Sequence, residues 1–384
     1  MSVKMTLLKI DKQLNYPLVR LTNNRPLLFK VYYHTILPVR KWLYLLCGGW
    51  GRKIIVNITL KDKLDSCYQK FGDKEDIAKY KNDILSAFVL YGIDPEEYFL
   101  YNFQHKSHDE RRFFLSDRER KYGCKNASSW ETYDELRNKD AFYALASKFF
   151  NRDVCIVKSA EDLDKFKEFV QKQPRFFAKP IDGTFGNGAG IIDSADYSSL
   201  EEAFQPFIST PEKWMLEEII QQDPEMGKWN PSSVNTIRVH SFLTKEGKYA
   251  ILNPTLRTGR KGSVVDNAGA GGVTAMIDVA TGKIATQGID KKYNRYDCHP
   301  DSKVQFEGTQ IPQWEELKKT AEAVHRSLPK HHRYVGFDFA LSTKGWVLIE
   351  GNWGQLIGSQ TASQKGVRYQ FEELMGLPAD TCYA

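Results

Sequence analysis

Cysteine is scarce in this sequence. Six cysteines among 384 residues (Cys47, Cys67, Cys124, Cys155, Cys298 and Cys382) form no CxxC pair. That scatter excludes a disulfide-built scaffold and the usual zinc modules. Long apolar runs are also missing. A membrane-crossing helix needs about 20 apolar residues, and the longest candidate, 42–50, is about half that and contains two glycines. Without internal repeats or low-complexity tracts, solenoids and disordered chains are excluded. No secretory leader pattern is present, so a reducing, cytosolic compartment is expected, with the inner membrane face as one location within it. Acidic residues are nearly absent from the first 53 positions. That stretch holds ten Lys/Arg against one acid, Asp11, whereas the whole chain carries +6. Aromatics, among them Phe29, Tyr32, Tyr33, Trp42, Tyr44 and Trp50, are interleaved with the basic residues. Such a segment fits an amphipathic cap on the main domain, an anionic membrane surface or nucleic acid. No RNA-binding module accompanies it, so no nucleic-acid partner is expected.

What remains is the balance of a globular protein, 41% hydrophobic and 27% charged. The length asks for two or three packed units. Residues 1–60 read as a basic, aromatic-rich appendage and 61–150 as mainly helical. Within the latter, Asn138 is placed to cap a helix from Lys139 that carries Phe142, Leu145 and Phe149. From 151 the pattern turns to short strands mixed with helices. Strands are expected at 154–158, 175–180, 189–193, 214–220, 236–243, 249–257, 273–278, 334–341 and 346–352. A helix over 313–327 follows Pro312, which suits a first helical turn. Without regular βαβ alternation the fold class is α+β.

Two local signals carry chemistry. The first is the run 179–190, where Lys179 precedes Gly183, Gly186, Gly188 and Gly190 between two strands. Glycines let backbone N–H groups turn toward an anion and approach it closely. The run lacks GK[ST] and is followed by a strand, so it is neither a P-loop nor a Rossmann turn. The second is the hairpin GFDFALSTKGWVLIEGN. A three-residue turn over 343–345 with Gly345 left-handed sets Asp338 opposite Glu350, and Asn352 shares the face of Glu350. Acids inside such apolar strands need a counter-charge, and a hard metal ion such as Mg²⁺ supplies one.

Taken in order, the glycine-rich hairpin with its lysine, a Glu-Glu strand and a closing Asp…Glu-x-Asn resemble the ATP-grasp superfamily. SVNTIRV (233–239), DNAGAGGVTAMID (266–278), HPDS (299–302), IPQW (311–314) and VLIEGN (347–352) resemble its sugar-transfer-associated family, over roughly 90–370. The resemblance implies two α+β units clamping ATP: a lid subdomain over 151–222 and a C-terminal subdomain over 223–384 with the Mg²⁺ site. It implies that Lys139, Lys179 and the loop residues Gly183, Thr184, Gly186 and Gly188 contact phosphates. Glu217, Glu218, Ile219 and Ile220 would form the hinge that reads adenine, with Glu217 or Glu218 taking the adenine amine. Asp338, Glu350 and Asn352 would ligate Mg²⁺. Arg238, Arg257 and Asn267 would act at the transferring phosphoryl group. The ribose contact stays open between Asp223 and Glu225, and His299 is a candidate base. The implied activity is an ATP-dependent carboxylate–amine ligase working through an acylphosphate on a sugar or polysaccharide precursor. A sugar kinase and a non-catalytic ATP-binding protein are the alternatives.

Overall fold

The computed structural model describes residues 25–42, 66–67, 69, 71, 77–128, 130–182, 188–263, 265–266 and 271–379. Much of the basic appendage (1–24 and 43–60), Gly183, Thr184, Gly186 and Asn267 lie outside the described residues. The chain divides into two compact units, Met1–Ala127 with Ser363–Ala384, and Ser128–Ala362.

The first unit is helical in its described residues: Ile77–Tyr91, Pro95–Leu100, Asp117–Ala127 and Arg368–Met375 are its longer segments. Its core is aromatic, with Tyr98, Tyr101, Phe103 and Phe114 buried. Arg368 is fully buried and donates to both oxygens of buried Glu119, at 3.1 and 2.9 Å. Losing either partner would leave an uncompensated charge, at a cost of roughly 3–5 kcal/mol. This pair binds the C-terminal helix to Asp117–Ala127. The last residues therefore group with the first unit, not with the C-terminal subdomain to which the sequence assigned them.

The second unit holds two sheets, antiparallel throughout. Helix α1 (Lys139–Ala146) precedes the smaller sheet. Strands β1 (Val154–Val157), β2 (Arg175–Pro180), β3 (Gly190–Asp193) and β4 (Trp214–Glu218) lie in the order β1-β4-β2-β3. Helices α2 (Leu163–Lys172) and α3 (Leu200–Ile208) share its core. There Phe166, Phe169, Phe176, Phe204, Phe207 and Leu216 pack together.

The larger sheet comprises β5 (Thr236–Leu243), β6 (Tyr249–Ile251), β7 (Thr255–Thr258), β8 (Val273–Met276), β9 (Gly288–Ile289), β10 (Arg295–Tyr296), β11 (Tyr334–Ser342) and β12 (Gly345–Asn352). Its order is β10-β9-β8-β7-β5-β11-β12, and β6 also pairs with β5. Strand alternation sorts the residues: Ile237, Val239, Phe337, Phe339 and Leu348 enter the core with Leu317, Ala321 and Val324 of α4 (Trp314–Ser327). Three expectations change. The run 249–257 splits into β6 and β7 because Asn253 has φ 42° and Pro254 follows it. The helix expected over 313–327 starts one residue later, at Trp314, because Gln313 takes φ 49° as its N-cap. Strand β4 ends at Glu218, two residues early.

The β11–β12 hairpin also differs in its turn. Ser342 pairs with Gly345, leaving a two-residue turn, and Phe339 pairs with Leu348. An unbroken register would set Asp338 against Ile349. A bulge between Phe339 and Asp338 absorbs Ile349 and restores Asp338 opposite Glu350. It also turns Glu350 away from the core face that Leu348 occupies.

Gly351 faces α1, where a Cβ would stand 2.4 Å from the Phe142 ring. Gly351→Ala is expected to cost about 1–3 kcal/mol by overpacking. Denaturant unfolding should register this loss, and Phe142→Leu combined with it should recover part.

Candidate active site

Two lysines reach one region from different elements. Lys139 is the first residue of α1, which Asn138 caps by accepting from Asp140 N at 3.3 Å. Its Nζ donates to the Pro180 and Ile181 carbonyls at 3.1 and 3.0 Å, at the foot of the glycine-rich run. Lys179 on β2 is nearly buried, with Nζ 3.0 Å from Glu217 Oε1. Arg152 Nη2 donates to the same oxygen at 2.9 Å, and its Nη1 to Leu348 O at 2.6 Å. Burial works to raise the Glu217 pKa, but Arg152 and Lys179 hold it below the usual carboxylate range. Burial lowers the pKa of Lys139, nearby Lys179 adds to this, and Glu350 opposes it. Lys139, Lys179, Glu217 and Glu350 thus share one electrostatic neighbourhood.

The second group lies across the larger sheet. Arg238, Asp338 and Glu350 occupy one row over β5, β11 and β12. Arg238 grips Asp338 with two hydrogen bonds, from Nε to Oδ1 and from Nη2 to Oδ2 at 2.7 Å. Arg257 Nη1 adds a third at 3.0 Å. Burial acts to raise Asp338, yet the two guanidinium groups hold it well below the usual range. Glu350 goes the other way: burial and the Asp338 charge push its pKa up, against Lys179, Arg238 and Lys139. Asn352 Nδ2 lies 3.5 Å from Glu350 Oε1. The donor set is two carboxylates and an amide, and Glu350 carries the unfavourable like charge. Such oxygens can hold a hard divalent ion. Asp338 is already engaged by two arginines, so Glu350 and Asn352 are the freer donors.

Several sequence assignments change here. Glu217, expected in the adenine-reading hinge, here receives both Lys179 and Arg152 on its Oε1. Glu218 accepts from Asp153 N at 3.1 Å and lies 3.5 Å from Lys344. Ile219 and Ile220 follow the end of β4. His299 is fully buried; its Nε2 bonds Gly259 O at 2.9 Å, and Nδ1 accepts from the Asp301 and Ser302 amides. It holds a turn and has no nitrogen left for a base role. Asp223 caps Pro224–Gly227, and Glu225 pairs with Lys228 at the surface. Two residues were missed. Arg152 lies in no motif. Asp266 opens the DNAGAGG run; it accepts from Thr236 N at 3.1 Å and lies 3.5 Å from Arg257.

A model of sugar-transfer associated ATP-grasp proteins matches residues 119–375. The chain belongs to that family. No curated protein matches it. Solved structures of low identity align with this ATP-grasp chain. D-alanyl-alanine synthetase A from Vibrio cholerae O1 biovar eltor is 14% identical, over 67% of this chain and 66% of that one, with a TM-score of 0.36. The ATP-grasp ligase PsnB, solved with a minimal precursor, is 11% identical over 65% and 64%, at 0.40. D-alanine–D-alanine ligase from Bacillus anthracis is 14% identical over 65% and 68%, at 0.39. The chain spans about two thirds of the length of these structures.

Because the folded pKa of Glu350 is raised, its contribution to stability is full below the ordinary carboxylate value and fades as pH rises through the folded value. Asp338 has the opposite sign: its contribution is present above the ordinary value and lost on acidification. Glu350→Gln in this ATP-grasp chain, without divalent metal, should therefore raise the melting temperature at pH 7.5. A rise of about 2 °C is what roughly 1 kcal/mol gives in a chain of this size. The gain should shrink toward pH 4. A lower melting temperature at pH 7.5 would contradict this account of the carboxylate pair.

Proposed function

We propose that this protein is an ATP-dependent ligase that joins a carboxylate to an amine through an acylphosphate. The supporting observation is the convergence of Lys139, Lys179, Arg238 and Arg257 around the Asp338–Glu350 pair. A substrate carboxylate and a triphosphate repel each other, and these four cations offset that repulsion. Lys139 and Lys179 would exchange their present carbonyl and carboxylate partners for phosphate oxygens. Mg²⁺, held by Glu350, Asn352 and the free lone pairs of Asp338, would supply further charge neutralisation. The glycine-rich run would cover the phosphates and exclude water. The carboxylate oxygen attacks the γ-phosphorus, the bond to ADP breaks, and an acylphosphate results. An amine then attacks the acyl carbon, phosphate departs and the amine loses a proton. Arg257 or the 269–272 backbone would donate to the oxyanion, with Asn267 beside them in sequence. The family's association with sugar transfer supports a carboxylate on a sugar or polysaccharide precursor.

ADP release from MgATP with hydroxylamine present, across uronic acids and amino acids, tests the reading. A hydroxamate on one carboxylate is expected. A phosphorylated product without hydroxamate would make the protein a kinase, and ATP binding without turnover across the panel would favour a non-catalytic role. Lys179→Ala should raise the Kd for MgATP tenfold or more, about 1.4 kcal/mol.

A second observation supports docking on an anionic bilayer. Residues 26–42 are helical, with Tyr32, Leu37 and Arg40 buried. Leu27, Leu28, Val31, Val39 and Trp42 are exposed, Leu27 at 81%. Arg25, Lys30 and Lys41 accompany them, with no acid from 25 to 42. Among the described residues no helix is long and apolar enough to cross a membrane. An apolar outer face with basic flanks suits the interface of anionic lipids. Leu27→Ser with Trp42→Ser should reduce co-sedimentation with phosphatidylserine vesicles severalfold; equal sedimentation would remove the docking role.

A further inference from the structure

A cluster of different chemistry lies elsewhere in the second unit. Glu135 is carried by the helix Trp130–Arg137, just before Asn138 and Lys139. His331 and His332 stand in the short segment between α4 and β11, just before the strand that bears Asp338. The ligand atoms of these three side chains all lie within 4.8 Å of one another. Both imidazoles approach the same carboxylate oxygen: His331 Nε2 is 2.8 Å from Glu135 Oε2, and His332 Nε2 is 2.6 Å from it.

His332 is the anomaly. Its side chain is fully buried; Nε2 meets Glu135 Oε2 off the ideal hydrogen-bond angle, and Nδ1 has no hydrogen-bond partner. Buried polar atoms are rarely left in that state, because the lost hydration is not replaced. The backbone of His332 is well fixed. Its N–H bonds Pro329 O at 3.0 Å, and its carbonyl meets His325 Nε2 at 2.6 Å. His325 is in turn held by Ser241 Oγ at 2.6 Å. The imidazole is thus presented by a braced backbone to a carboxylate and a second imidazole, with its Nδ1 left unpartnered.

We propose that Glu135, His331 and His332 form a site for a divalent transition metal of the zinc class, separate from the all-oxygen group at Asp338, Glu350 and Asn352. Two imidazoles and one carboxylate suit zinc rather than magnesium, and three protein ligands leave one position for water. In a tetrahedral zinc site the ligand atoms stand roughly 3.3 Å apart. The shortest contacts here open slightly to accept an ion, and the longer ones close. His331 and Glu135 are about one third exposed (31% and 32%), which gives the ion a route from solvent. The bound ion would replace the strained sharing of one carboxylate oxygen. It would also clamp the helix that leads to Lys139 onto the segment that enters β11.

The test uses the full chain, free of affinity tags and stripped with chelator. Titration with Co²⁺ should give a tetrahedral visible absorption band that saturates at one equivalent, and Zn²⁺ should displace it. His332 is buried and its replacement endangers the fold, so the partly exposed ligands are varied. His331→Ala and Glu135→Gln should each weaken Co²⁺ binding at least tenfold while circular dichroism stays unchanged. Glu350→Gln should keep the band. Zn²⁺ should raise the melting temperature of the wild-type chain but not of His331→Ala. A wild-type chain without the band, or a band that survives both variants, overturns the proposal. So does a band lost in Glu350→Gln, which would put the ion at the oxygen group.

Discussion

Two carboxylates set side by side, one buried and one half-buried, set the terms for the rest of the second unit. Asp338 and Glu350 face each other across β11 and β12, Asp338 buried and Glu350 half-buried. Their compensation is unequal. Arg238 and Arg257 both serve Asp338, whereas Glu350 has only more distant help from Lys179, Arg238 and Lys139. One acid is therefore held ionised and the other is held in tension. That imbalance is the electrostatic condition a cation relieves, because a crowded like-charge pair gains more from a cation than either acid alone.

The strands and helices near this pair are shaped by it. The bulge at Ile349 carries Glu350 to the polar face while Leu348 remains in the core. Gly351 lets α1 pack close, through Phe142, and α1 carries Lys139 at its start. Arg152 joins Glu217 of the smaller sheet to the Leu348 carbonyl on β12. The lysine side and the carboxylate side are thus linked by hydrogen bonds and by core packing.

Much of this was legible in the sequence. Strand β2 (Arg175–Pro180) and strand β5 (Thr236–Leu243) follow the expected bounds, because alternation with period two and flanking breakers are local signals. The family too was legible, since its motifs recur in order. The failures have physical causes. Strand β6 and strand β7 looked like one segment because the apolar residues on either side masked Asn253-Pro254, itself a turn signal. His299 looked available because burial and the Gly259 carbonyl are not visible in a motif. The partners of Glu217 were not legible because they come from β2 and from Arg152, two residues before β1.

The sequence by itself determined the α+β class, the acidic hairpin, the glycine-rich run with its lysine and the family, all of which rest on short stretches of chain. Only the tertiary structure decided that Arg238 and Arg257 both turn to Asp338, that a bulge sets the register of Glu350, and that Glu135 meets His331 across 196 residues of sequence. The reason is that charges choose partners by proximity after folding. Burial then fixes what each choice costs, and neither distance nor burial is written in local order.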